Sequence, residues 1–418
     1  MDDIETKQHC GQTVDLSIRI LHVECWNVNH FESQSSKLLV AAIDFGTTFS
    51  GYAFSFRHEY ETDPTKVTGK VWYSSTGLLA PMKAPTCLLL RPDKTFSAFG
   101  YEAENNYSEL VVQKEHRRWY YFRRFKMMLH DGMGMKRDIE LEDETGKKVS
   151  AITVFSLAIE FLKRDLLENC RNKLTDIYER DIQWVLTTPA IWSDGAKQFM
   201  REAAVKAGIS GDSLTIALEP EAASIYCRHI PLQRGERNKK SHLETFNPGS
   251  KYLVLDAGGG TVDITVHEVT HNLSIKELHQ ASGGPWGGTK VDEEFQKLLI
   301  SIIGSFVFEE FKRNDMCSYL ELLSEFELKK RSVAPDSNHR SMFVVSASLL
   351  HLFEARTGKT IQDVISKMDI GDQVKWDRGK IRIESTLMQE FFVGPIREII
   401  AHIRKLFQQG HLYDVSTI

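Results

Sequence analysis

Two short stretches carry the residues able to do chemistry. In AIDFGTTFSGYAF (42–54), an apolar run ends on Asp44, and Gly46, Thr47 and Thr48 follow. In KYLVLDAGGGTVDITVHEV (251–269), an apolar run ends on Asp256, and Gly258, Gly259, Gly260, Thr261 and Asp263 follow. The carboxylates of Asp44 and Asp256 are hard oxygen donors of the kind that suits Mg²⁺, an ion that usually keeps several waters. Glycine lets the backbone approach an anion closely. Backbone N–H groups, with the hydroxyls of Thr47 and Thr48, can then donate to phosphate oxygens. Thr261 and Asp263 can orient a water. Two such turns facing each other would clamp a polyphosphate and its Mg²⁺ from both sides. A single Gly-rich turn is most often only a turn. The pairing of two, each after a buried strand and before a β-like run, carries the argument.

Each turn needs a strand on either side. LLVAAIDF reads as a buried strand and TTFSGYAFSF as its hairpin partner. The second stretch repeats that design, an internal echo. KVWYSS and TCLLLRP read as further strands, and DIQWVLTTPA as a strand stopped by Pro189. VFSLAIEFLKRDLLENC is an amphipathic helix. SDGAKQFMREAAVKAG is a helix with Ser193 or Asp194 as N-cap and Gly208 as its stop. EHRRWYYFRRFKMML reads as another amphipathic helix, not as a nucleic-acid surface. It would bury Trp119, Phe122, Phe125 and Leu129 and leave Arg117, Arg124 and Lys126 in solvent. FFVGPIREIIAHIRKLFQQG is a late amphipathic helix with Ile396, Ile399, Ile403 and Leu406 or Phe407 inward.

Composition bounds the rest. A chain of 418 residues, 42% hydrophobic and 26% charged, has ample material for a sizeable core. A net charge of -5 gives no field that favours nucleic acid or an anionic membrane. Six scattered cysteines without a C-x-x-C pair argue for reduced thiols in a cytoplasmic or nuclear setting. No apolar run is long enough to span a membrane. The chain is divided as a poorly ordered leader (1–36), a first lobe (37–230), a charged surface loop (231–250) and a second lobe (251–418). The second lobe includes a helical subdomain at about 291–385.

The two turns resemble the phosphate motifs of the actin-like ATPase superfamily, and the chain is similar to its heat-shock 70 kDa branch. VLTTPAIWSDGAKQFMREAAVKAGI followed by ALEPEAASIYC resembles that branch's connecting motif. GGPWGGTKVDEEF resembles its next Gly-Gly turn, and the order Gly288-Thr289-Lys290 excludes a Walker A loop. The wording of both turns most resembles that of the divergent heat shock 70 kDa protein 12 subgroup. The resemblance implies an α/β fold of two actin-like, ribonuclease-H-like lobes, each with a mixed five-stranded sheet, the second one incomplete. It implies that Asp44 and Asp256 hold Mg²⁺ through water. It makes Gly46, Thr47, Thr48, Gly258, Gly259, Gly260, Thr261, Gly287 and Gly288 phosphate contacts. It places Glu219, Asp263 and Thr261 around the attacking water, and Glu327, Lys330 and Arg331 at ribose and adenine.

Two departures temper those expectations. The family places a lysine against the γ-phosphate after the first hairpin, and the alignment puts Glu104 there, with Lys114 the nearest lysine downstream. A carboxylate there would repel phosphate. The family's late Gly-Gly adenosine turn has no counterpart after Gly288, where LYDVSTI only begins a late strand. The expectation is therefore an ATP-binding, chaperone-like protein with weak or absent hydrolysis, using ATP/ADP, Mg²⁺ and an unidentified protein client, with no nucleic acid and no membrane. The alternative is a nucleotide-independent scaffold. A small-molecule kinase of the same superfamily would need a sugar-binding signature that is not seen.

Overall fold

The computed structural model describes residues 37–73, 82–129, 139–172, 177–227, 247–272, 274–336, 338–410, 412, 414 and 415. The leader and most of the surface loop read at 231–250 lie outside them, as does most of the late strand read at Leu412–Ile418. The chain forms two compact units. The first comprises the chain up to Asn105, Arg118–Pro285 and Lys405 onward; the second comprises Asn106–Arg117 and Trp286–Arg404.

The first unit is built on a mixed sheet of β1 (Leu39–Asp44), β2 (Phe49–Phe56), β3 (Thr68–Gly69), β4 (Lys83–Pro85), β10 (Ile182–Thr188) and β11 (Leu214–Leu218). The strand order is β11-β10-β1-β2-β3, and β4 also pairs with β2. β1 is antiparallel to β2 and parallel to β10. All six residues of β1 are buried because both faces of the sheet are covered. Leu39, Ala41 and Ile43 join a large core with the helices Ala151–Arg171 and Asp194–Lys206. Val40 and Ala42 face a smaller core with Ala222 and Tyr226 of the helix Glu219–Cys227. By strand alternation Asp44 belongs to this second face.

β5 (Cys87–Leu90), β6 (Phe96–Phe99) and β7 (Tyr120–Arg123) form a small antiparallel sheet with β5 in the middle, and β8 (Glu140–Glu142) pairs with β9 (Lys148–Ser150). β12 (Lys251–Ala257), β13 (Val262–Val269) and β14 (Ile275–Gly284) form a third sheet, antiparallel throughout. The implied count of five strands is not reached there: three are present among the described residues, and β12 has one strand neighbour.

The second unit packs helices around β15 (Ser341–Val344), β16 (Val374–Asp377) and β17 (Lys380–Ile383), ordered β15-β17-β16. Its centre is aromatic. Phe295 stacks on Phe326 with ring centroids 4.1 Å apart, and Phe343 and Phe391 close around them.

Several local readings hold. The helix Asp194–Lys206 is capped by the Ser193 hydroxyl, which accepts from the Ala196 N–H, and Gly208 turns with φ +82°. Others need correction. In KVWYSS the described residues 70–73 are irregular, and the strand beside them is only β3 (Thr68–Gly69). EHRRWYYFRRFKMML is not one helix but β7 between two short 3₁₀ turns, His116–Arg118 and Phe125–Leu129. Pairing with β5 overrides helical periodicity there. In the helix Ser385–Phe407, Leu406 is buried as expected, but Ile396 is exposed, and Leu387, Met388 and Phe391 carry the inward face.

Candidate functional site: a two-hairpin acidic clamp

The turn between β1 and β2 is held by a small polar frame. The Gly46 N–H donates to Ser50 Oγ at 3.1 Å, and Thr86 Oγ1 donates to the Gly46 carbonyl at 2.8 Å. The Thr86 N–H donates to the Thr48 carbonyl at 2.8 Å. A Cβ on Gly46 would lie 2.1 Å from the Phe49 carbonyl oxygen, so the tight turn requires glycine. The turn between β12 and β13 closes with a 3.0 Å bond from the Gly258 N–H to the Thr261 carbonyl.

The two turns meet. A Cβ on Gly259 would fall 2.1 Å from Thr48 Oγ1, and one on Gly260 would fall 2.8 Å from Thr47 Oγ1 and 2.2 Å from Met127 Sδ. The glycines therefore serve close approach of two hairpins. Thr47, Thr48, Gly259 and Gly260, far apart in sequence, stand together as the reading of the two motifs expected.

Below the turns lie the acids. Asp44 is buried; its Oδ1 accepts from Thr187 Oγ1 at 3.2 Å and its other oxygen from the Lys83 ammonium. Burial opposes its charge, but Lys83, Lys126 and Thr187 outweigh burial and hold the carboxyl below its ordinary value. Asp263 accepts from the Ile191 N–H at 3.0 Å and from Thr261 Oγ1 at 3.1 Å. Burial raises it, against those bonds and Lys126. Glu219, the first residue of its helix, pairs with Lys126 at 2.8 Å. Burial, with Asp256, Asp44 and Asp263 nearby, lifts it to about 7 against the pull of Lys126. Asp256, opposite Asp263 in the β12–β13 register, is lifted to about 6 by burial and by Asp263 and Asp44.

Lys126 corrects one expectation. It is 2% exposed, not solvated, with its ammonium 5.1 Å from the Trp192 ring centroid. A lysine thus lies among these acids. Glu104 instead has Arg123 and Arg124 as its charged neighbours, and burial raises its carboxyl. Lys83 escaped sequence reading altogether, since nothing near MKAPT marks it. Thr86, Thr187 and the Ile191 N–H were also missed; they matter through tertiary hydrogen bonds, which leave no local pattern.

The donor set fits a hydrated divalent cation. Four carboxylates face two ammoniums, and burial together with mutual repulsion pushes Glu219 and Asp256 toward neutrality. Among the described residues, no three His, Cys, Asp or Glu side chains are close enough to ligate an ion directly. Asp44 and Asp256 are the carboxylates that could hold a hydrated Mg²⁺.

The remaining predicted residues belong to the second unit, and four of the five form one network. Lys330 Nζ donates to Asp292 at 2.7 Å, to Glu327 at 2.6 Å and to the Gly288 carbonyl at 3.3 Å, and Arg331 pairs with Glu327 at 2.9 Å. Gly287 is the N-cap of the helix Gly288–Ile303.

Comparison with known proteins decides the family. The chain is 35% identical to heat shock 70 kDa protein 12A of Homo sapiens over 437 residues, covering 93% of this chain and 64% of that protein. The chain belongs to the heat-shock 70 kDa family. Heat shock 70 kDa protein 12B of Homo sapiens is also 35% identical, covering 92% of this chain and 62% of its own length. Chaperone protein DnaK of Thermoplasma volcanium is 25% identical over 238 residues, 53% of this chain and 34% of its own. The chain thus spans a little under two thirds of the length of its heat shock 70 kDa protein 12 relatives. No family model matches it. The mixed α/β architecture is that of the actin-like ATPase fold of this family. No helix among the described residues is long and apolar enough to cross a membrane.

Proposed function

We propose that the first unit binds Mg-ATP through its two facing hairpins, as the nucleotide-dependent module of a chaperone-like protein. The observation that carries the proposal is the close approach of Thr47 and Thr48 to Gly259 and Gly260, above four carboxylates and two lysines. Glycine amides and threonine hydroxyls would take phosphate oxygens. Asp44 and Asp256 would take the waters of Mg²⁺, which when bound supplies charge neutralisation to the polyphosphate. Lys126 stands beside the acids, where it would face negative charge that develops in phosphoryl transfer. Asp263 and Glu219 are carboxylates suited to orient a water. Glu104 has Arg123 and Arg124 as its charged neighbours and so gives no electrostatic ground for weak hydrolysis, and the proposal includes slow turnover. A protein client and a cytoplasmic setting complete the proposal; the word chaperone in a relative's name supports the first.

The test is thermal unfolding with and without Mg-ATP, beside Asp256→Ala. Ligand at about 100 times its Kd should stabilise the chain by roughly 2.7 kcal/mol. A rise in Tm that the variant loses supports the clamp. No rise at millimolar Mg-ATP overturns the proposal and leaves the scaffold reading in its place.

A further inference from the structure

The register of the first sheet places a cation on Asp44 from within the chain. Asp44 stands opposite Gly51, and Gly51 stands opposite Lys83, so the three occupy one row across β1, β2 and β4. Residues directly opposite in antiparallel strands project from the same face. Neighbouring strands lie about 4.8 Å apart, so Asp44 and Lys83 are separated by roughly twice that at the backbone. Gly51 has no side chain to fill the gap. The four-carbon stem of Lys83 crosses it and sets its ammonium on Asp44. The pair is nearly dry, with side-chain exposures of 14% for Lys83 and 7% for Asp44. The other oxygen of Asp44 is taken by Thr187, so both are occupied.

We propose that Lys83 is the resident counter-ion of Asp44, and that a divalent cation gains that carboxylate only by displacing it. This rests on the reading of Asp44 as a cation-facing acid. Its consequence is a clamp that resists Mg²⁺ alone. A polyphosphate offers Lys83 another anionic partner, so metal and polyphosphate would enter more readily together than singly. The apparent affinity for Mg²⁺ alone is reduced by the fraction of time Asp44 is free.

The experiment uses MgCl₂ without nucleotide, at constant ionic strength, and follows Tm. Failure of ATP binding is read separately, so the two proposals fail independently. Lys83→Gln should respond to Mg²⁺ at a midpoint about tenfold or more below that of the parent, as for a carboxylate blocked nine-tenths of the time. Lys83→Arg, which keeps the cation, should behave as the parent. Lys83→Gln combined with Asp44→Asn should lose the response. Equal Mg²⁺ midpoints for parent and Lys83→Gln overturn the proposal, as does a response that survives Asp44→Asn. A second measurement needs no variant: amine labelling of the parent, read by mass spectrometry, should show Lys83 becoming more reactive as Mg²⁺ is raised. Unchanged labelling at saturating Mg²⁺ also overturns it.

Discussion

Glu219 shows how one residue takes its chemistry from its surroundings. A free glutamate titrates near 4.5, but burial and three nearby aspartates lift this one to about 7, and Asp256 is lifted to about 6. Between about pH 4 and pH 7 the folded chain therefore holds more protons than the unfolded chain at these two sites. Stability from this pair is greatest at the acid end and falls as pH rises through the window. Each unit of displacement is worth about 1.4 kcal/mol. Asp44 has the opposite sign: its lowered value adds stability that is lost as pH falls below about 4. Urea unfolding of the free chain should show the decline between pH 5 and pH 7, and Glu219→Gln should flatten it. An unchanged slope in that variant would remove Glu219 as its source.

At the scale of elements, the hairpins work because glycine faces threonine. Gly259→Ala would drive a methyl into Thr48, whose short side chain cannot move away. Overpacking of this kind costs about 1–3 kcal/mol, and the variant should also lose its Mg-ATP shift in Tm. Gly358 makes a useful contrast. It ends the helix Ala347–Thr357 with φ +66°, and nothing lies within 4 Å of its added Cβ. Gly358→Ala should cost about 1 kcal/mol from backbone strain alone, with the nucleotide shift retained. If both variants lose that shift alike, the hairpin contact has no special role.

The whole molecule distributes the predicted nucleotide contacts over both compact units. The phosphate hairpins and acids lie in the first, and the Lys330 network lies in the second. Comparing ATP with inorganic tripolyphosphate separates their contributions. Lys330→Ala should weaken the stabilisation by ATP severalfold while leaving that by tripolyphosphate unchanged, if Lys330, Glu327 and Arg331 serve the adenosine end. Equal losses with both ligands would assign the Lys330 network to structural support.

Much of this was legible in the sequence because it is local. β1, β2, β12 and β13 announce themselves through apolar runs that end on an acid and a glycine turn. The helix Asp194–Lys206 is bracketed by its cap and its stop. The repeated motif points to two facing turns, since two copies of one design imply two halves of one arrangement. The cations were not legible. Lys126 reads as the polar face of a helix until β7 pairs with β5 and carries it into the dry interior beside Glu219. Lys83 carries no local mark, and only the register sets it across Gly51 from Asp44. The sequence by itself determined where the acids, glycines and hydroxyls would gather, because each motif is written in a few adjacent residues. Only the tertiary structure decided which positive charges meet those acids, because an ion pair between strands depends on register and burial, and neither is encoded by neighbours along the chain.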